Sequence, residues 1–165
     1  PVLTGANFLM HEFLGLASRE IPNFAGIKFT NNNLIDYKYC KGFNDGAYNI
    51  LFGFDEILLA SLPLGAEGWV GSTYNHLAPL YLSIIEAFHN NDHKLAAALQ
   101  EKSMKFVDTL NAKGGFNGAA KSFMKVLGVD CGPSRFPHVT LSIEELKRAE
   151  NELDDLGIMA YTSKF

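Results

Sequence analysis

The segment Phe24-Ala-Gly-Ile-Lys-Phe-Thr30 is a short apolar run interrupted by one cation, and the polar turn Asn31-Asn32-Asn33 follows at once. A run of this length bounded by turn residues reads as a buried strand, with Lys28 at or just before its C-terminal edge. Flanked by Ile27 and Phe29, such a lysine is expected to be poorly solvated. Desolvation favours the neutral amine, and a neutral lysine is a nucleophile that condenses with a carbonyl to form a Schiff base. The position also suits a structural lysine that reaches to water or pairs with an acid. The neighbours decide between the two.

Two more apolar runs end in polar groups. Tyr48 to Phe52 runs into Gly53-Phe54-Asp55-Glu56, and Gly68-Trp-Val-Gly71 into Ser72-Thr73-Tyr74-Asn75. Strands near 24–29, 48–53 and 68–72, if parallel neighbours, align their C-terminal edges. Lys28, Thr30, Asp55, Glu56, Ser72 and Thr73 are then expected on one rim. An amine nucleophile, two carboxylates and several hydroxyls suit a carbonyl substrate that carries many hydroxyl groups. Asp55 and Glu56 also read as acids at a helix N-terminus, and Ser72 and Thr73 as plain caps.

The elements that must position these groups alternate. Helical spacing covers Phe8 to Glu20, with Asn7 as its cap, then Leu34 to about Gly42 behind Asn33, then Glu56 to Leu64. Helices between short strands at this spacing indicate β/α units, a parallel sheet and right-handed connections. After Asn75 the strand pattern stops. Helices follow over Leu77 to Asn90, His93 to about Lys113, Gly118 to Leu127 and Ile143 to Leu156. The last starts on a Ser142/Glu145 capping box and ends at Gly157. The fold class is therefore α/β, one portion of a single domain over 1–165, with β/α units in 1–76, and the last helix of that array and a helical appendix in 77–165.

Bulk properties narrow the function. The 165 residues are 47% hydrophobic and 19% charged with a formal net charge of −4, enough apolar material for one globular core. Acidic balance without a basic block argues against a nucleic-acid surface. No apolar run is long enough for a bilayer. Cys40 and Cys131 are isolated thiols, which fits a reducing, cytoplasmic setting better than a disulfide scaffold. The opening Pro1-Val-Leu-Thr-Gly5 has no initiator methionine and reads as a cut within a domain, with residues that complete a site expected upstream.

Taken together, Pro1-Val-Leu-Thr-Gly5, Gly26-Ile-Lys-Phe-Thr30, Leu51-Phe-Gly-Phe-Asp-Glu56, Gly65-Ala-Glu-Gly-Trp-Val-Gly-Ser-Thr-Tyr-Asn75 and Gly132-Pro-Ser-Arg-Phe-Pro137 resemble the N-acetylneuraminate lyases. These are sialic acid aldolases of the dihydrodipicolinate synthase/N-acetylneuraminate lyase family. The resemblance spans essentially the whole chain, in order and in spacing. It implies the latter part of a (β/α)8 TIM barrel with extra C-terminal helices, assembled as a homotetramer. It further implies a class I aldolase: Lys28 forms an iminium with the keto carbon of N-acetylneuraminate, N-acetylmannosamine leaves, and hydrolysis frees pyruvate. The iminium is the electron sink, so neither a metal nor another cofactor is implied. By position, Thr30 faces the reacting carbons, while the Gly53 backbone, Asp55, Glu56 and Ser72 hold the hydroxylated tail. Phe116 lines the pocket from the appendix, although an aromatic after Gly114-Gly115 also serves as a core plug. The family's acid/base tyrosine and its carboxylate-binding turn would both lie upstream of Pro1.

Other constellations carry less. His89-Asn-Asn-Asp-His93 lacks a third ligand for a metal, and His11, His76 and His138 are scattered, with only His76 placed to border the rim. The rival readings are a sister enzyme such as dihydrodipicolinate synthase, which also uses pyruvate on a lysine, and a non-catalytic module that binds a partner or sugar.

Overall fold

The computed structural model describes Gly5 and residues 8–165, so the Asn7 cap and residues 1–4 of the opening motif lie outside the described residues. The chain forms two compact units, Pro1–Gly71 and Ser72–Phe165.

In the first unit the order is α1 (Met10–Glu20), β1 (Gly26–Phe29), α2 (Leu34–Gly42), β2 (Asn49–Phe52) and a short α3 (Leu58–Ser61). β1 and β2 pair in parallel, Lys28 against Leu51 and Phe29 against Phe52. The third expected strand is reduced to one parallel bridge: the Phe52 N–H donates to Gly68 O and the Val70 N–H to Phe52 O, both at 2.9 Å. Gly68 and Gly71 bracket that bridge. A Cβ on the first would run into Leu51 and on the second into the Asp55 carboxylate, so the segment gives up side-chain pairing for close approach.

Residues alternate across the sheet, and one face is aromatic. Tyr37 of α2 lies between Phe29 and Phe52, with ring centroids 5.3 and 5.0 Å away in edge-on geometry. Leu14, Cys40 and Ile50 complete this core. The Tyr37 hydroxyl is buried without a hydrogen-bond partner, and burial, followed by the Glu67 charge, pushes its pKa up to about 12. Because that hydroxyl is desolvated and makes no bond to the protein, Tyr37→Phe is expected to leave stability unchanged or raise it by up to about 1 kcal/mol, read by urea unfolding.

α1 is two residues shorter at its start than its apolar spacing suggests, and its N-cap residue Leu9 makes no side-chain cap bond. The cap comes from α2. Asp36 accepts from the Met10 N–H at 2.8 Å, from the His11 N–H at 3.2 Å and from His11 Nδ1 at 2.6 Å. Burial alone would raise the Asp36 pKa, but these bonds outweigh it and hold the carboxyl below the usual range. A depressed carboxylate stabilises the fold fully above its unfolded value of 3.8 and loses that contribution as pH falls through the folded value. Asp36→Asn is therefore expected to cost about 1–2 kcal/mol at neutral pH, with the gap from the parent closing below pH 3.8. Unfolding measured across an acid series checks it.

The second unit is helical: α4 (Tyr74–His89), α5 (His93–Asn111), α6 (Phe116–Phe123) and α7 (Ile143–Asp155). Its core is apolar and aligned along helix faces, including Leu80, Ile84, Leu99, Phe106, Leu110, Phe123 and Leu153. The Ser142/Glu145 capping box is present on α7. α4 is broken at Leu77 (φ −130°), which leaves Pro79 in the first turn of the regular segment, where its missing N–H costs nothing. Ser163 takes up the freed backbone groups: its N–H donates to His76 O at 2.7 Å, and its Oγ accepts from the Ala78 N–H at 3.3 Å. Among the described residues, no helix is long and apolar enough to cross a membrane.

Candidate active site

Lys28 projects from β1 on the face opposite the aromatic core. Ile27 and Phe29, expected to desolvate it, point the other way, because adjacent residues of a strand face opposite sides. The side chain is exposed in this structure, which corrects the expectation of a poorly solvated amine. On its own face the side chain lies beside Thr30 and Gly53. The Gly53 N–H donates to Phe29 O at 2.8 Å, extending the β1–β2 pairing by one residue. A Cβ at Gly53 would overlap both Thr30 Oγ1 and the Lys28 side chain. The sequence thus places Lys28, Thr30 and Gly53 together, with glycine required so that the other two can lie over it.

Lys28 and Thr30 line a groove of about 630 Å³ with Asn31, Asn33, Asp36 and residues 8–10. Sequence reasoning identified Lys28 and Thr30, but neither Asp36 nor the two asparagines as groove residues. Asn33 was expected as the α2 cap and is one, accepting from the Asp36 N–H at 3.1 Å. The local signal was the spacing Asn33-x-x-Asp36, which caps α2 and fixes Asp36 in its first turn.

Asp55 and Glu56 do not line this groove. They open a 3-10 turn, Asp55–Ile57, that precedes α3 where one continuous helix from Glu56 to Leu64 was expected. Asp55 is buried, with its carboxylate seated on Gly71, while Glu56 is half-buried. The remaining two expected residues belong to the second unit. Exposed Ser72 and half-buried Phe116, the first residue of α6, line one cavity of about 310 Å³ with His76 and Ala120. Phe116 is thus a wall residue and not a core plug. Thr73 is no side-chain cap of α4; its hydroxyl donates to the Tyr81 hydroxyl at 2.9 Å. Buried His76 has a pKa lowered first by desolvation, partly offset by the Ala120 and Ser72 backbone. Among the described residues no three His, Cys, Asp or Glu side chains gather as metal ligands.

A lysine and a threonine at the end of a parallel strand, over a glycine of the next strand, with helices between the strands, define a segment of a β/α barrel with an amine at its C-terminal rim. The comparisons agree. The chain belongs to the dihydrodipicolinate synthetase family, whose model matches residues 1–156. It is 35% identical over 164 residues to the N-acetylneuraminate lyase of Homo sapiens, covering 98% of this chain and 51% of that protein. Among solved structures it superposes on Proteus mirabilis N-acetylneuraminate lyase with a TM-score of 0.88, at 34% identity over 94% of this chain and 52% of that one. The Aliivibrio salmonicida enzyme of the same name gives 0.89, at 32% identity over 98% and 53%. The fold is therefore that of a TIM barrel in part, and the chain spans about half the length of the relatives it matches.

Proposed function

We propose that the polypeptide carrying this chain is a class I aldolase that cleaves N-acetylneuraminate to N-acetylmannosamine and pyruvate. The observation that carries this reading is Lys28 beside Thr30 over Gly53 at the end of a parallel strand. The similarity to lyases of N-acetylneuraminate supports the choice of substrate.

In the proposed reaction the Lys28 amine adds to the keto carbon, and loss of water gives an iminium. Electrons of the bond between the next two carbons flow into the iminium to leave an enamine. The hydroxyl on the departing carbon loses its proton, so that carbon leaves as the aldehyde of N-acetylmannosamine. Protonation of the enamine and addition of water then release pyruvate and restore the amine. The electron pair of the broken bond is taken up by the iminium nitrogen, and a general base that accepts the hydroxyl proton can return one to the enamine, so this chemistry asks for no metal or other cofactor. Thr30 Oγ1 lies over Gly53 with the Lys28 side chain and is assigned to the reacting carbons. Gly53, Asp55, Glu56, Ser72 and Phe116 are assigned to the polyol chain, for which hydroxyl, carboxylate and backbone groups are suitable partners. We assign the enzyme to the cytoplasm as a homotetramer, with this chain as the latter part of its barrel.

Borohydride reduction in the presence of pyruvate, followed by peptide mapping, tests the proposal. The expected result is a reduced pyruvyl adduct on the peptide containing Lys28. A folded, full-length protein that yields no adduct would overturn the mechanism. Cleavage of N-acetylneuraminate, set against condensation of pyruvate with aspartate semialdehyde, separates this reading from a dihydrodipicolinate synthase.

A further inference from the structure

We infer that His76 is a positioning residue for the sugar-chain end of the substrate, holding Ser72 against Phe116 across the second unit's cavity. The inference rests on the functional reading above. His76 is 3% exposed, and a polar ring so deeply buried is costly unless its bonds are made. Ala120 O lies 2.8 Å from Nε2, and since a carbonyl only accepts, Nε2 carries the proton. Ala120 O already receives the Met124 N–H at 3.3 Å, so an apolar residue at 76 would leave that carbonyl with a partner. The imidazole bond is therefore surplus for the carbonyl, while for the ring it satisfies the buried Nε2 proton. In doing so it fixes the distance between residue 76 and α6.

The two ends of that bond are each tied to a proposed substrate residue. Phe116 stands one helical turn before Ala120 on α6, so the two share a face. Ser72 stands four residues before His76, in the turn where the His76 N–H donates to Thr73 O at 2.9 Å and Asn75 Nδ2 donates to Ser72 O at 3.0 Å. His76 is itself immobilised. Its ring packs between Phe106 of α5 and Phe123 of α6, with centroids 5.5 and 6.4 Å away, and its carbonyl is held by the Ser163 N–H. Ser72, His76, Phe116 and Ala120 all line the same cavity of about 310 Å³.

The test compares His76→Leu, which keeps an apolar filling but no donor, with His76→Gln, whose amide can donate to Ala120 O. Both are made in the full-length polypeptide and assayed in the condensation direction. For His76→Leu the KM for N-acetylmannosamine is expected to rise about fivefold, the effect of one lost neutral hydrogen bond on placement. The KM for pyruvate and borohydride trapping on Lys28 should stay at the parent level, and His76→Gln should restore the sugar KM to within about twofold. A folded Leu variant with the parent sugar KM overturns the inference. So does a Gln variant with a sugar KM raised fivefold or more, a result that stands even where the Leu variant does not fold. Parent protein that gives no pyruvate adduct removes the functional reading, and this inference falls with it.

Discussion

Replacing Lys28 by alanine is expected to lower kcat/KM for N-acetylneuraminate cleavage by about a thousandfold or more and to abolish pyruvate trapping. Stability should hardly move. Lys28 is exposed and lies on the face of β1 away from Phe29, Tyr37 and Phe52, so its removal opens no cavity in the aromatic core. A shift in Tm within about 2 °C is the expected companion result, since surface replacements usually stay within about 0.5 kcal/mol. Lys28→Arg sharpens the experiment. It keeps the charge, but guanidinium does not deprotonate to attack a carbonyl, so it should be as inactive as alanine. Activity above a tenth of the parent in either variant would show that the amine is not the nucleophile.

Gly26→Ala is expected to have the largest effect on folding, a loss of about 3 kcal/mol or more. Gly26 opens β1 at a positive φ of 150°, a region that side-chain-bearing residues avoid. The position is also filled. A Cβ there would fall on the backbone of Asn49, the residue Gly26 faces in the β1–β2 register. Neither strand can retreat without breaking the bond from the Asn49 N–H to Ala25 O at 2.9 Å. Trp69 is the only tryptophan and belongs to the same unit, so its fluorescence during urea unfolding reads this unit directly. A Gly26→Ala protein with an unchanged midpoint would show that the close approach is dispensable.

The lysine strand was legible because a lone cation in a short apolar run followed by three asparagines is an unusual local pattern. α7 was legible down to its capping box, since Ser142 and Glu145 act three residues apart. The cap of α1 was not, because Asp36 reaches it from more than two dozen residues downstream, and no local rule pairs them. The third strand shrank to a bridge for a related reason. Its apolar content was visible, but the contacts that make Gly68 and Gly71 necessary are with Leu51 and Asp55 on other segments. The solvation of Lys28 is not legible from Ile27 and Phe29, because in a strand the sequence neighbours are the residues least able to shield a side chain. Phe116 and Ser72 were chosen by resemblance, and the structure gives them a shared cavity with His76, a residue the sequence marked only as bordering the rim.

The two faces of the β1–β2 pair separate what a designer usually finds entangled. Phe29, Tyr37 and Phe52 hold the pair to its helix from one side, while Lys28 and Thr30 occupy the other. Exchanges at Thr30 and along the asparagine turn draw on none of the aromatic packing. Libraries at Thr30 and Asn32 can vary the groove and the turn beside it without first being rescued by stabilising mutations, while Asn33 is kept as the cap of α2. Gly53 marks a limit of that freedom, because a side chain there would displace both Lys28 and Thr30.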